Sequence, residues 1–232
     1  MSASLDEAIA SLEAYLRRYP SGNFAEIAQA KLDRLLAMRG ERRITVVSSG
    51  DNPHSKGHAL ARTDWQVGDR YEWRIVDLDT ELEHRRTDVV TAVTDLQVFF
   101  DSGVVTNLIG NPVLDRRGRR IHENQNIPAD CSVGKKWKSR YRIETSGDEG
   151  YTDLEWSIVG REVATLPAGR FNAFRAEGRG WTKYGGQRDF TFWMDPEKVR
   201  LPIVREHRRR DWGRPGRSER LELVSYFEAP PK

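Results

Sequence analysis

His54 and His58 stand four residues apart, the spacing that sets two imidazoles on one face of a helix and, with Asp51 nearby, would suit a metal ion. Pro53 and Gly57 break up that stretch, so no helix is expected and the residues read as a polar loop. His84, His122 and His207 are scattered through polar segments and are expected to be solvated. Cys131 is the single cysteine, which leaves no intramolecular disulfide and no cysteine metal cluster. Lys135 and Lys136 behind it would favour a thiolate, but no histidine partner is implied. The serines of Ser49-Gly50-Asp51, Ser102-Gly103 and Ser146-Gly147-Asp148 sit in turns, and no Gly-x-Ser-x-Gly presents a nucleophile. Gly178, Gly180, Gly185 and Gly186 lack the spacing and the following helix of a phosphate loop. The acid pairs Asp77/Asp79, Glu81/Glu83 and Asp148/Glu149 crowd turns, where acids are ordinary. The sequence therefore offers no catalytic set, no metal set and no cofactor motif.

Two other features suit binding. Residues 197–220 hold nine basic side chains against four acids, an excess of five, while the whole chain carries only +3. The cationic character is thus local, and Arg205, Arg208, Arg209, Arg210, Arg214 and Arg217 would meet an anionic surface. Trp212 among them could stack a base, but Glu206, Asp211 and Glu219 interrupt the run and are natural cross-strand partners, which argues against nucleic acid. The second feature is aromatic. Tyr71, Trp73, Trp137, Trp156, Trp181 and Trp193 fall on expected strands, and a curved sheet would gather one face of them on its concave side. There they would be core, or the lining of a site for an apolar small molecule or a protein partner.

The elements that must position these residues change character along the chain. Leu5, Ile9, Leu12 and Leu16 recur at steps of three and four, as one face of a helix over 5–18 requires. Tyr19-Pro20-Ser21-Gly22 ends it, and Phe24, Ile27, Ala28, Leu32, Leu35 and Leu36 predict a second helix over about 23–38. Residues 1–40 thus form a helical hairpin whose YP-x-G turn resembles a tetratricopeptide unit, or an ordinary helical cap on the next domain. Residues 41–64 read as a linker with one strand at Ile44-Thr45-Val46-Val47. From 65 to 232 the period falls to two: Tyr71, Trp73 and Ile75, then Leu154, Trp156 and Ile158, then Phe190, Phe192 and Met194 alternate with other residues. Further strands are expected near 86–94, 95–101, 103–109, 138–146, 161–166, 170–181, 200–209 and 218–227. The fold class expected is mainly β with an N-terminal α-hairpin, the sheet being a curved antiparallel meander or incomplete barrel.

Three phrases carry a family resemblance: Val-Gly-x-x-aromatic at Val67-Gly68 and Val133-Gly134, Val163 through Phe174 with its Pro167-Ala168-Gly169-Arg170-Phe171 core, and Trp193-Met194-Asp195-Pro196 with Leu201-Pro202-Ile203-Val204-Arg205. Over about residues 65–228 the chain resembles the bacterial β-domains called DUF3108-like or TapB-like. The resemblance implies a curved, incomplete barrel holding an apolar ligand on its concave face, no catalytic residues, and export to the periplasm. The opening MSASLDEAIA has no apolar signal-peptide core, and no apolar run is long enough to span a bilayer as a helix. The sequence thus predicts a non-catalytic binding or scaffold module. An enzyme of unfamiliar type in the same cleft, or an anionic-surface binder using the arginine cluster, are the alternatives. Oligomeric state is not legible.

Overall fold

The structure is a computed structural model that describes residues 2–18, 28, 31, 32, 35, 57–145, 148–211 and 214–230. Contacts divide the chain into two compact units, Met1–His58 with Ser132–Lys135, and Ala59–Cys131 with Lys136–Lys232. In the first unit, α1 (Ser2–Arg18) buries Ile9 against Leu32, with Leu12, Leu16 and Leu35 packed alongside. The stripe of period 3.6 thus finds an apolar partner. Ala28, Lys31, Leu32 and Leu35 are helical. The rest of the expected second helix, and the expected strand Ile44–Val47, lie outside the described residues, so a hairpin is not shown.

The second unit is built from strands. A two-stranded ribbon joins β1 (His58–Leu60) and β8 (Asp130–Ser132). The remaining twelve make a barrel: β2 (Arg70–Asp77), β3 (Glu83–Val93), β4 (Gln97–Phe100), β5 (Val105–Asn107), β6 (Pro112–Leu114), β7 (Arg120–His122), β9 (Lys136–Thr145), β10 (Asp148–Leu166), β11 (Gly169–Thr182), β12 (Gln187–Met194), β13 (Val204–Asp211) and β14 (Arg214–Phe227). Neighbours are antiparallel throughout, with β14 beside β2 and β7 beside β9. The barrel is closed. That corrects the expected meander or incomplete barrel, and the reason is hydrogen bonding: the short β5, β6 and β7 bridge the gap and leave no unpaired edge.

Alternation then sorts the side chains. Tyr71, Trp73 and Ile75 turn inward on β2 and are almost fully buried. Register carries the same face to Leu221 and Leu223 on β14, and to His84, Arg86 and Asp88 on β3. Continuing round the wall it includes Arg205 and His207, Phe190 and Phe192, Trp156, and Trp137. The outer face is dressed with ion pairs such as Lys138–Glu155 at 3.2 Å and Arg140–Asp153 at 3.3 Å, the reverse of the apolar girdle of a lipid-facing barrel. No helix among the described residues is long and apolar enough to cross a membrane.

Part of the interior is apolar core, where Trp65, Tyr71, Trp73, Phe100 and Leu223 pack with Val199, Leu201 and Ile203 from the β12–β13 connection. Burying each such side chain is worth about 1.5–3 kcal/mol. Arg200 of that connection is itself buried and holds Asp69 at 3.0 Å, Asp64 at 3.1 Å and Glu228 at 3.2 Å. Elsewhere inside, rings stack: Trp137 on Trp156 at 5.5 Å, Trp156 on Phe190 at 5.9 Å, and Phe190 on His207 at 4.2 Å. Gly178 permits the stack, because a Cβ there would lie 2.5 Å from the Trp156 ring.

Candidate functional site

The apolar core does not fill the barrel. Where it stops, a cavity of about 480 Å³ opens, walled on one side by the core residues Ile75, Phe100, Val104 and Leu201. The rest of the lining is cationic. Seven arginines line it, Arg86, Arg116, Arg117, Arg119, Arg205, Arg209 and Arg217, with three carboxylates, Asp88, Asp115 and Glu219.

Each wall of the cavity has a local cause. On β3 the inward set is His84, Arg86 and Asp88, directly across from Ile75, Trp73 and Tyr71. Asp88 is buried and ion-paired through one oxygen with Arg86 at 3.1 Å and through the other with Arg116. Arg116 reaches it from the β6–β7 turn, which Asp115 clamps: its Oδ1 accepts the N–H groups of Arg117 and Arg119 at 2.9 Å each, and its Oδ2 the Nε–H of Arg119 at 2.7 Å. Gly118 closes this turn at φ +73°, a left-handed conformation that a side chain would strain. The turn is therefore fixed with Arg116 and Arg117 toward the cavity.

The β5–β6 loop adds Gly110 to the lining. Asn107 Oδ1 accepts N–H bonds from Ile109 and Asn111 at 3.0 Å, and the buried Asn111 exchanges two hydrogen bonds with the main chain of Ile127 at 2.7 and 2.8 Å.

On β13, Arg205, His207 and Arg209 point in. A bulge between His207 and Arg209 does not remove Arg209 from the lining. The guanidinium of Arg205 lies 5.1 Å from the Trp73 ring centroid and has no carboxylate at ion-pair distance among the described residues. Burial, with Arg86 close by, pushes its pKa down to about 10. Burial likewise lowers that of Arg86, and Arg116 adds to the effect. His207 falls to about 4, first through burial and then through Arg188 and Arg209. By contrast Arg209 pairs with Asp211 at 2.5 Å and Arg217 with Asp77 at 3.8 Å.

Among the described residues, the buried polar atoms of the inner face without a hydrogen-bond partner include Arg205 Nε, Arg209 Nε, His207 Nε2, Thr106 Oγ1, Trp73 Nε1, Tyr71 Oη and Trp156 Nε1. The first four belong to residues lining the cavity, and Trp73 lies against Arg205. Buried donors are rarely left unpaired, so these mark a place made for an acceptor.

The residues singled out from sequence divide. Tyr71, Trp73, Trp137 and Trp156 share the inner face, but Tyr71 and Trp73 are core and Trp137 and Trp156 belong to the ring stack. Trp181 is 58 % exposed on the opposite face of β11 from Gly178 and Gly180. Trp193 alternates away from Phe192 and Met194; its indole N–H donates to Glu162 at 2.7 Å and Arg220 lies over its ring. None of the six lines the cavity. Of the arginine run, Arg205, Arg209 and Arg217 line it, while Arg208 is exposed and paired with Glu206 at 2.7 Å and Arg210 is exposed. Arg214 pairs through its backbone with Asp211. His207 belongs to the lining and is half-buried rather than solvated, while His84 lines the cavity and is exposed.

Sequence reasoning missed Arg86, Arg116, Arg117 and Arg119. β3 over 83–88 and β13 over 205–210 are polar on both faces, which signals a polar interior without singling out these arginines.

No protein-family model matches the chain, and no curated protein matches it. Several solved structures are similar. A candidate lipoprotein from Parabacteroides distasonis is 13 % identical, with 73 % of this chain and 100 % of that one covered and a TM-score of 0.44. The hypothetical lipoprotein YmcC from Escherichia coli is 13 % identical over 72 % and 88 %, TM-score 0.43. A candidate exported protein with a YmcC-like fold from Bacteroides fragilis is 10 % identical over 73 % and 100 %, TM-score 0.37.

Proposed function

We propose that the chain is a non-catalytic binding module that holds a small organic anion inside the barrel. The observation that carries this reading is Arg205, a half-buried cation stacked on Trp73, with no carboxylate at ion-pair distance among the described residues and its Nε unbonded beside a 480 Å³ cavity. An uncompensated charge inside a protein costs several kcal/mol, and a bound anion would remove that cost. Ile75, Phe100, Val104 and Leu201 supply an apolar wall, so the ligand has an apolar body as well as an acidic group. This moves the expected ligand from apolar to amphipathic, and from the aromatic face to the arginines.

Acid–base catalysis is the second reading, because His207 and Glu219 are cross-strand neighbours and both line the cavity. A histidine whose pKa lies near 4 is a weak base, which favours binding over proton transfer.

Calorimetric titration with 1-naphthyl phosphate and with naphthalene-1-sulfonate tests the site. At least one should bind saturably at one site per chain, and Arg205→Leu should weaken it tenfold or more with the far-ultraviolet dichroism unchanged. Binding of neither probe, or equal binding to the variant, would overturn the proposal.

A further inference from the structure

Charge pairing within the cavity is specific enough to narrow the ligand class. Arg119, Arg209 and Arg217 each have a carboxylate, in Asp115, Asp211 and Asp77 respectively. The other four lining arginines, Arg86, Arg116, Arg117 and Arg205, have two carboxylates between them. Asp88 uses both oxygens on Arg86 and Arg116, and Glu219 acts on Arg86 through space. Arg188, also on the inner face, shares Asp211 with Arg209. The lining thus holds at least two positive charges more than its own carboxylates balance.

We propose that the cavity is selective for a dianionic head group of the phosphomonoester kind, carried on an apolar body, over a monoanion of the same shape. This rests on the cavity being an anion site. A monoanion offsets one charge of this excess and a dianion two, at a site where Arg86 and Arg205 are partly shielded from water. Geometry agrees with charge. Arg205 lies close enough to Arg86 and Asp88 for both to act on it, and Arg116 is drawn to the same carboxylate. Three guanidinium groups therefore converge on one region. A tetrahedral head with three terminal oxygens accepts from several such forks at once. In the same lining, Thr106 Oγ1 is an additional unbonded hydroxyl. The apolar wall and the cavity volume leave room for a body of one or two rings.

Two probes of one shape separate this inference from the broader one. Naphthalene-1-sulfonate carries one charge at every pH used, and 1-naphthyl phosphate carries two at pH 8 and about one at pH 5, its second pKa being about 6. The expected result is a Kd for the phosphate at least tenfold below that for the sulfonate at pH 8, falling to within about threefold at pH 5. The sulfonate at both pH values controls for titration of the protein itself. Arg117→Gln, a change in an exposed turn, should narrow the pH 8 preference severalfold. Equal affinities at pH 8, or a preference that does not change with pH, would overturn the dianion inference while leaving the anion site standing. Failure of both probes to bind would instead remove the anion site.

Discussion

Arg205 and Trp73 face each other inside the barrel, guanidinium carbon to ring centroid 5.1 Å, with no carboxylate among the described residues at ion-pair distance. Cation–π attraction of this kind is worth about 0.5–2 kcal/mol, less than the cost of holding the charge away from water. Arg205→Leu should therefore stabilise the ligand-free protein by about 1–3 kcal/mol in urea unfolding, while weakening anion binding. A variant that loses both stability and binding would show that Arg205 is structural.

Asp88 is the carboxylate that Arg86 and Arg116 share. Asp88→Asn should lower stability without ligand by about 2–4 kcal/mol, since it leaves two guanidinium groups unpaired. It should also raise affinity for naphthalene-1-sulfonate, so that saturating probe restores much of the melting temperature. Thermal melts with and without the probe read both effects.

His207 takes its proton near pH 4 in the native protein and near 6.5 when unfolded. Between these values the unfolded chain binds more protons. The contribution of His207 is therefore complete above about pH 6.5 and lost as the pH falls to about 4, by about 3 kcal/mol in all. Arg188 on β12, Arg209 and Asp211 on β13 and Glu219 on β14 set its surroundings. Unfolding measured at pH 7 and pH 4 should show a smaller drop for His207→Gln than for the parent, and an identical drop would refute this assignment.

Asp69 is fully buried and accepts from Arg200 at 3.0 Å, from Gln66 N–H at 2.9 Å and from Ala229 N–H at 2.8 Å. Asp69→Ala should cost about 3–5 kcal/mol, because Arg200 loses its most buried partner. Equilibrium denaturation checks this, and a cost below 1 kcal/mol would mean that Asp64 and Glu228 suffice.

Gly178→Ala places a methyl group 2.5 Å from the Trp156 indole. Overpacking of that kind costs about 1–3 kcal/mol. The near-ultraviolet dichroism of the tryptophans should change with it, since Trp137, Trp156 and Phe190 would all have to shift.

The period-two pattern of Tyr71-Trp73-Ile75 and Phe190-Phe192-Met194 made the long strands legible, because alternation is a direct print of a wall with two unlike faces. Closure was not legible. It depends on β5, which falls in the strand expected near 103–109, and on β6 and β7, three residues each and too short for any period to register. The arginine run showed in composition, but its division did not: Arg205 and Arg209 lie inside and Arg208 and Arg210 outside because of the β13 pleat and bulge. Arg86 and Arg116 sit in the cavity for tertiary reasons alone. Each is set by register with β2 or by the Asp115 clamp, neither of which is visible before the strands are paired.

The short bridging strands also have a dynamic meaning. β6 and β7 meet at a single residue pair, Leu114 with Arg120, and β5 meets β6 at two, whereas β10 and β11 pair from Thr152 to Leu166 with one bulge between Ile158 and Gly160. Local opening costs least where fewest main-chain bonds must break, so this side of the wall breathes first. It is also the side that carries Arg116 and Arg117. Amide exchange should be fastest there in the empty protein and slow once the arginines are engaged, which makes the residence time of a guest a property of three short strands rather than of the whole barrel.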